Sequence, residues 1–239
     1  MLSVMDNSEV FLEKYKNLEK AVRSAYGLKR GESISRYLAE KTKYKKFEDE
    51  IRYCQEVRNF LVHEKKISND FAVEPSDAMI NFIEELTKSI VNLPKCHHIQ
   101  VKFKNIYWRK MSDSVAETVA VMKEKAYTDV PVLDDNGVVI GVFNENSVFC
   151  CIAEGKDVSK DNGLTLFDIK EHLSVTDRET ESFVFVRPSL YVWELEDMIE
   201  REFEKGRRIG IAFVTASGRA DEKLQGIITP WDVIKGTRA

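Results

Sequence analysis

The chain has 239 residues, 43% of them apolar and 32% charged, with a formal net charge of −4. That balance excludes a disordered chain, and the lack of any apolar run approaching the ~18 residues of a membrane span excludes a membrane-embedded helical protein. Four cysteines (Cys54, Cys96, Cys150, Cys151) make no C-x-x-C pair, and the acidic start "MLSVMDNSEV" lacks the basic stretch of a signal peptide; a reducing, cytoplasmic setting is expected.

Residues 8–92 are low in proline and glycine, and their apolar positions recur at helical spacing: Phe11, Tyr15, Leu18 and Val22; Phe47, Ile51, Cys54, Val57 and Leu61; Ile80, Ile83, Leu86 and Ile90. Helices are expected over about 8–25, 32–40, 44–65 and 76–92. Charge is uneven. Residues 1–100 carry 17 basic and 16 acidic side chains, hence 17 − 16 = +1, and the remainder carries 19 and 24, hence −5. Within 28–46, seven basic residues meet two acidic ones, either a surface for an anionic partner or an ordinary solvated helix face. "NLPKCHH" (92–98), with Pro94, reads as a linker; neighbouring Cys96, His97 and His98 rarely point at one ion, and no metal site is expected.

Beyond residue 100 strands alternate with helices and the chain repeats itself. Val115, Val119 and Met122 form a helical stripe, followed by "TDVPVLDDNG" and "VVIGVF". Val192, Leu195, Ile199 and Phe203 form another, followed by "RIGIAFVTASG" and "LQGIIT". Gly141 of "GVFNENS" matches Gly226 of "GIITPWD", 226 − 141 = 85 residues later. Two copies of roughly 60 residues are small for independent cores and are expected to bury their sheets together. In the second copy Thr229 is a helix N-cap, Pro230 the first helical residue and Asp232 the third. A capping box explains this, and so does a hydroxyl and a carboxylate converging on one small polar ligand.

The helix, the strand Val130-Pro131-Val132-Leu133-Asp134 and the Gly226-x-x-Thr229-x-x-Asp232 signature resemble a tandem pair of CBS domains, the adenosyl-nucleotide-sensing Bateman module, over about residues 101–237. The resemblance implies an α+β chain: a helical domain over 1–95, then a CBS pair over 101–239 with β-α-β-β-α repeats at about 101–155 and 180–237. It further implies that the Asp232 carboxylate accepts from the two ribose hydroxyls and that Thr229 donates towards phosphate, chemistry suited to an acceptor-only group facing a vicinal diol. The first copy has Asn144 and Ser147 at the matching places, so one competent site per chain is expected. Thr128, Val130 and Pro131 are its expected adenine slot, and Arg207 or Arg208 its phosphate contact, unless these arginines are merely solvated. The expected ligand is AMP, ADP, ATP or S-adenosylmethionine, with no cofactor required. A CBS pair that binds nothing and only dimerises is the alternative.

"RNFLVHE" (58–64) places Arg58 and His63 five positions apart at a helix end. An imidazole moves a proton near neutral pH while a guanidinium holds phosphate, so the pair could cleave RNA without a metal. With Asn59 after the arginine, the motif resembles that of HEPN domains, which implies a metal-independent ribonuclease gated by the CBS pair. An ion-paired Arg58 and a His63 that only complements the helix dipole explain the same residues. Both resemblances imply a homodimer. RNA is a candidate partner of the helical domain; a membrane is not.

Overall fold

Short polar side chains cap the starts of several helices. In the computed structural model, which describes residues 6–63, 71, 73–160, 162–176, 178 and 180–236, helices and strands form an α+β fold of two compact units, Met1–Leu93 and Pro94–Ala239.

In the first unit, Asp6 accepts from the Ser8 amide at the start of α1 (Asn7–Tyr26). That helix stops at Gly27, whose φ of +68° lies in the left-handed region that a residue without Cβ enters freely. Ser33 caps α2 (Ile34–Glu40) by accepting from the Arg36 amide. The single helix expected over 44–65 is divided: a 3-10 segment, Thr42–Phe47, precedes α3 (Glu48–His63). The tighter turn carries Tyr44 inward, 2% exposed, with its hydroxyl 3.0 Å from that of Tyr26. The end expected at residue 65 lies outside the described residues. Ser76 caps α4 (Asp77–Val91). The α1 stripe Phe11, Tyr15, Leu18 and Val22 is buried, as are Ile51 and Cys54 of α3 and Ile80, Ile83, Leu86 and Ile90 of α4, which pack on α1. Each such side chain contributes about 1.5–3 kcal/mol on leaving water.

In the second unit the expected linker is partly structure. Helix α5 (Cys96–Ile99) is held by Cys96 N donating to Leu190 O (2.8 Å) and His97 N to Pro188 O (3.0 Å). Cys96 is fully buried beside Val186, Val192 and Val233, because an un-ionised thiol packs as a small apolar group. Then come β1 (Val101–Lys102), α6 (Val115–Lys125), β2 (Asp129–Leu133), β3 (Val139–Asn144) and α7 (Glu145–Ala153). The second repeat follows as β4 (Glu181–Val186), α8 (Val192–Glu204), β5 (Arg208–Val214), β6 (Gly226–Ile228) and α9 (Pro230–Gly236).

Strand order is β1-β6-β5-β4 in one sheet and β2-β3 in the other. Strands β4 and β5 run parallel, as the crossover through α8 requires. In the first repeat the matching parallel neighbour of β2 is only a bridge from Arg109 to Val132. The outer edges are exchanged: β1, at the very start of the first repeat, pairs with β6 of the second (Val101↔Ile227), and the carbonyl of Leu173, ahead of the second, accepts from Val142 N of β3 at 2.9 Å. The repeated glycines make room for these edges. A Cβ on Gly141 would lie 3.0 Å from Leu173 Cβ and 3.1 Å from Leu173 O; one on Gly226 would lie 2.9 Å from Val101 O and 2.3 Å from Gln100 Oε1. Between the repeats Leu133, Val139 and Val142 meet Ile211, Phe213 and Leu224 in a shared core, so the two sheets do bury their faces together.

Candidate functional site

Strand β6 ends in the core at Ile228, 1% exposed, and α9 re-enters it at Val233, 4% exposed, so the turn between them is held from both sides. Thr229 O accepts the Asp232 and Val233 amides (3.0 and 3.3 Å). Asp232 Oδ2 accepts from Thr229 N (2.8 Å) and from the Thr229 hydroxyl (2.7 Å), and both residues are half-buried. Oδ1 takes no hydrogen bond among the described residues, leaving one carboxylate oxygen able to accept from a ligand. The same local geometry recurs at Thr165 and Asp168, where Thr165 N and Oγ1 donate to one carboxylate oxygen at 2.8 and 2.6 Å. That pair lies at the exposed start of a 3-10 helix, Leu166–His172. A Thr-x-x-Asp turn thus closes on itself in two places, of which only Thr229–Asp232 stands at the repeated position.

The matching place in the first repeat is filled by side chains. Asn144 and Ser147 are 2% and 0% exposed. Ser147 donates to Asn144 Oδ1 from both its amide and hydroxyl (3.1 Å each), and its hydroxyl lies 2.9 Å from His172 O. Asn144 Nδ2 donates to Glu181 Oε2 (2.7 Å) and Asp129 Oδ1 (3.2 Å). Arg178 completes the group, its Nη1 donating to Asn144 Oδ1 at 3.0 Å and lying 3.4 Å from Glu181 Oε2. Burial, then the neighbouring Asp129 carboxylate, pushes the Glu181 carboxyl above its usual range, against the pull of Arg208 and Arg178. Sequence reasoning missed Arg178 and Glu181. Both sit in the charged run "DRETES", which leads into β4 and ends on its first two residues; it looks like solvated loop, and nothing in it signals burial.

The other expected nucleotide contacts are distributed unevenly. The Thr128 hydroxyl is exposed and donates to Asp129 Oδ2 (2.7 Å). Val130 is fully buried in the first repeat's core and Pro131 is buried on β2, so their side chains serve packing. Arg208 pairs with Glu181 (3.3 Å), and Arg207 with Glu202 (2.7 Å).

In the first unit Arg58 reaches across to α1, its Nη2 3.8 Å from Glu19 Oε1, and also donates to Asn59 Oδ1 (3.2 Å). His63 is exposed at the last position of α3. Both histidines of the Cys96-His97-His98 run serve the backbone: His98 Nδ1 accepts from Lys95 N (3.1 Å), and His97 Nδ1 lies 2.9 Å from Pro188 O. Among the described residues, Glu154, Glu171 and His172 place possible metal-ligand atoms within 4.8 Å of one another. Lys156 Nζ stands 2.9 and 3.1 Å from the two carboxylates and supplies the positive charge that a cation would bring.

Residues 110–154 match the family model of the CBS domain. No curated protein matches the chain. Similar solved structures include CBSX2 in complex with AMP, 25% identical, covering 60% of this chain and 96% of that one, TM-score 0.44. Another is CBSX2 from Arabidopsis thaliana, 21% identical, covering 60% and 94%, TM-score 0.44. A third is a hemolysin-like protein containing a CBS domain from Oenococcus oeni PSU, 17% identical, covering 61% and 90%, TM-score 0.43. No helix among the described residues is long and apolar enough to cross a membrane.

Proposed function

We propose that this chain is a regulatory protein whose second unit is a CBS pair that senses an adenosine nucleotide through one site per chain, centred on Thr229 and Asp232. The observation that carries this is the contrast between matched positions. Asn144 and Ser147 are consumed in a buried network, whereas Thr229 and Asp232 stay half-buried with Asp232 Oδ1 unengaged among the described residues. The CBS match over residues 110–154 and the duplication that aligns Gly141 with Gly226 support the same reading. A carboxylate oxygen suits the paired hydroxyls of a ribose, and one of AMP, ADP, ATP or S-adenosylmethionine is the ligand. Thr128 and Arg208, both exposed, are its candidate further contacts. The working protein is a homodimer in the cytoplasm, and RNA is the candidate partner of the helical unit.

The test is a thermal-shift panel of these four compounds, since a ligand that binds only the folded state raises its apparent stability. A shift that disappears in Asp232→Asn supports the site. No shift with any of them leaves the Thr229–Asp232 pair as a helix cap and the module as a scaffold.

A further inference from the structure

The first repeat contains a site already filled by the chain. Arg178 projects a guanidinium whose side chain is only 8% exposed, and every donor nitrogen is engaged. Its Nε donates to Ser174 O (2.8 Å), and its Nη2 to Val142 O (2.8 Å) and His172 O (3.2 Å). Its Nη1 donates to Asn144 Oδ1 (3.0 Å) and lies 3.4 Å from Glu181 Oε2. The Phe183 ring closes one face, 5.2 Å from the guanidinium carbon. Three main-chain carbonyls, an amide oxygen and a carboxylate around one planar cation form an acceptor cage that matches guanidinium geometry.

The cage is built where ligand chemistry would otherwise be. Asn144 and Ser147 hold the positions that Thr229 and Asp232 hold in the second repeat, by the 85-residue offset. Two of the carbonyls, of His172 and Ser174, flank the exchanged edge residue Leu173, and a third, of Val142, belongs to β3. The guanidinium therefore also fastens that edge to the sheet. Glu181 supplies the counter-charge from a side chain 5% exposed, and Gly210 leaves the room for it, since a Cβ there would lie 2.8 Å from Glu181 Oε1. Without Arg178 the buried Glu181 carboxylate would keep only the exposed Arg208, 3.3 Å away, as a charged partner, so losing the guanidinium is costly.

We propose that Arg178 is a built-in occupant of the first repeat: its guanidinium takes the place of an exchangeable ligand in that half-site, and the cage it fills is a binding site for a guanidinium cation. The word half-site rests on the nucleotide reading of Thr229 and Asp232, whereas the cage rests on its own contacts. The experiment is therefore blind to nucleotides.

Arg178→Ala in the full chain is melted with and without methylguanidinium chloride at low millimolar concentration, with matched sodium chloride as control. The variant is expected to melt lower than the parent by roughly 6 °C or more, as loss of one partner of a buried ion pair implies. Methylguanidinium should restore much of that loss and leave the parent unchanged. A variant as stable as the parent, or a loss that methylguanidinium does not reverse, overturns the proposal. If the variant does not fold, proton exchange at the arginine Nε–H groups of the parent decides by NMR. Arg178 is expected to exchange at least roughly tenfold more slowly than Arg219, whose side chain is 67% exposed. Equal rates overturn it.

Discussion

The Thr229 hydroxyl donates to Asp232 Oδ2 over 2.7 Å, and the Thr229 amide reaches the same oxygen at 2.8 Å. One carboxylate oxygen is thus committed to holding the turn and the other is not, which separates two effects of mutation. Asp232→Asn keeps an amide oxygen for the cap but removes the charge, so it should melt within about 1 kcal/mol of the parent and lose adenosine-ligand binding in calorimetric titration. Asp232→Ala should lose both, with a cap penalty of about 0.5–2 kcal/mol. Unchanged affinity in Asp232→Asn would remove this residue from the site. Ser147→Ala, in the closed first repeat, should leave nucleotide affinity as it was.

The repeated glycines predict unequal stability losses. Gly226→Ala places a methyl 2.9 Å from the Val101 carbonyl, closer than real Cβ contacts come, so β1 must shift. Gly141→Ala meets Leu173 at 3.0 and 3.1 Å, tight but less severe. Overpacking of this kind costs about 1–3 kcal/mol, and denaturant midpoints should fall further for Gly226→Ala than for Gly141→Ala. The reverse order would mean that the exchanged edges do not approach the sheets in this way.

Acid sensitivity should trace in part to Glu202. Its carboxylate accepts from Lys205 Nζ (2.8 Å), Ser182 Oγ (2.7 Å) and Arg207 Nε (2.8 Å), contacts that bring it down from the ordinary 4.5 to about 2. A depressed carboxylate contributes stability that is complete above its unfolded value and is lost as pH falls through the folded one. The window is therefore pH 4.5 down to about 2. Glu202→Gln should flatten the stability profile across that window and leave its shape unchanged at neutral pH. A parallel drop in both proteins would assign the acid sensitivity elsewhere, with Glu222 the next candidate, held at about 2 by the Ser217 amide and hydroxyl.

RNA cleavage by Arg58 and His63, the expectation drawn from their motif, can be tested with a discriminating variant. Arg58 stands 3.8 Å from Glu19, a contact it must leave to hold a phosphate. If Arg58 and His63 cleave RNA, His63→Ala should abolish activity in a gel assay and Glu19→Ala should raise it by weakening that competition. Activity that survives in His63→Ala, or is absent in every condition, would reject the enzyme.

Light scattering tests the assembly. The full chain is expected at twice its 27.6 kDa mass at micromolar concentration. A monomer would overturn the dimer.

Much of this molecule is written in local pattern. The 3.6-residue stripes of Phe11–Val22 and Ile80–Ile90 require helices with one buried face, and no distant contact is needed to read them. Gly141 and Gly226, 85 residues apart, mark the duplication, and the Thr229–Asp232 turn follows from its own four residues because the bonds that close it are local. What tertiary structure decided is everything that depends on partners far along the chain. That Cys96 belongs to the second core, that β1 crosses to β6 while Leu173 reaches β3, and that Val130 is walled in are consequences of packing between segments. The clearest case is Arg178. In sequence it is one charge in a polar run, and only when Val142, His172, Ser174, Asn144 and Glu181 converge does burying a cation become favourable. The sequence already sets the first repeat apart through Asn144 and Ser147, but only folding buries Arg178 beside them, because a side chain's desolvation cost is set by the acceptors brought to it and not by its neighbours in the chain.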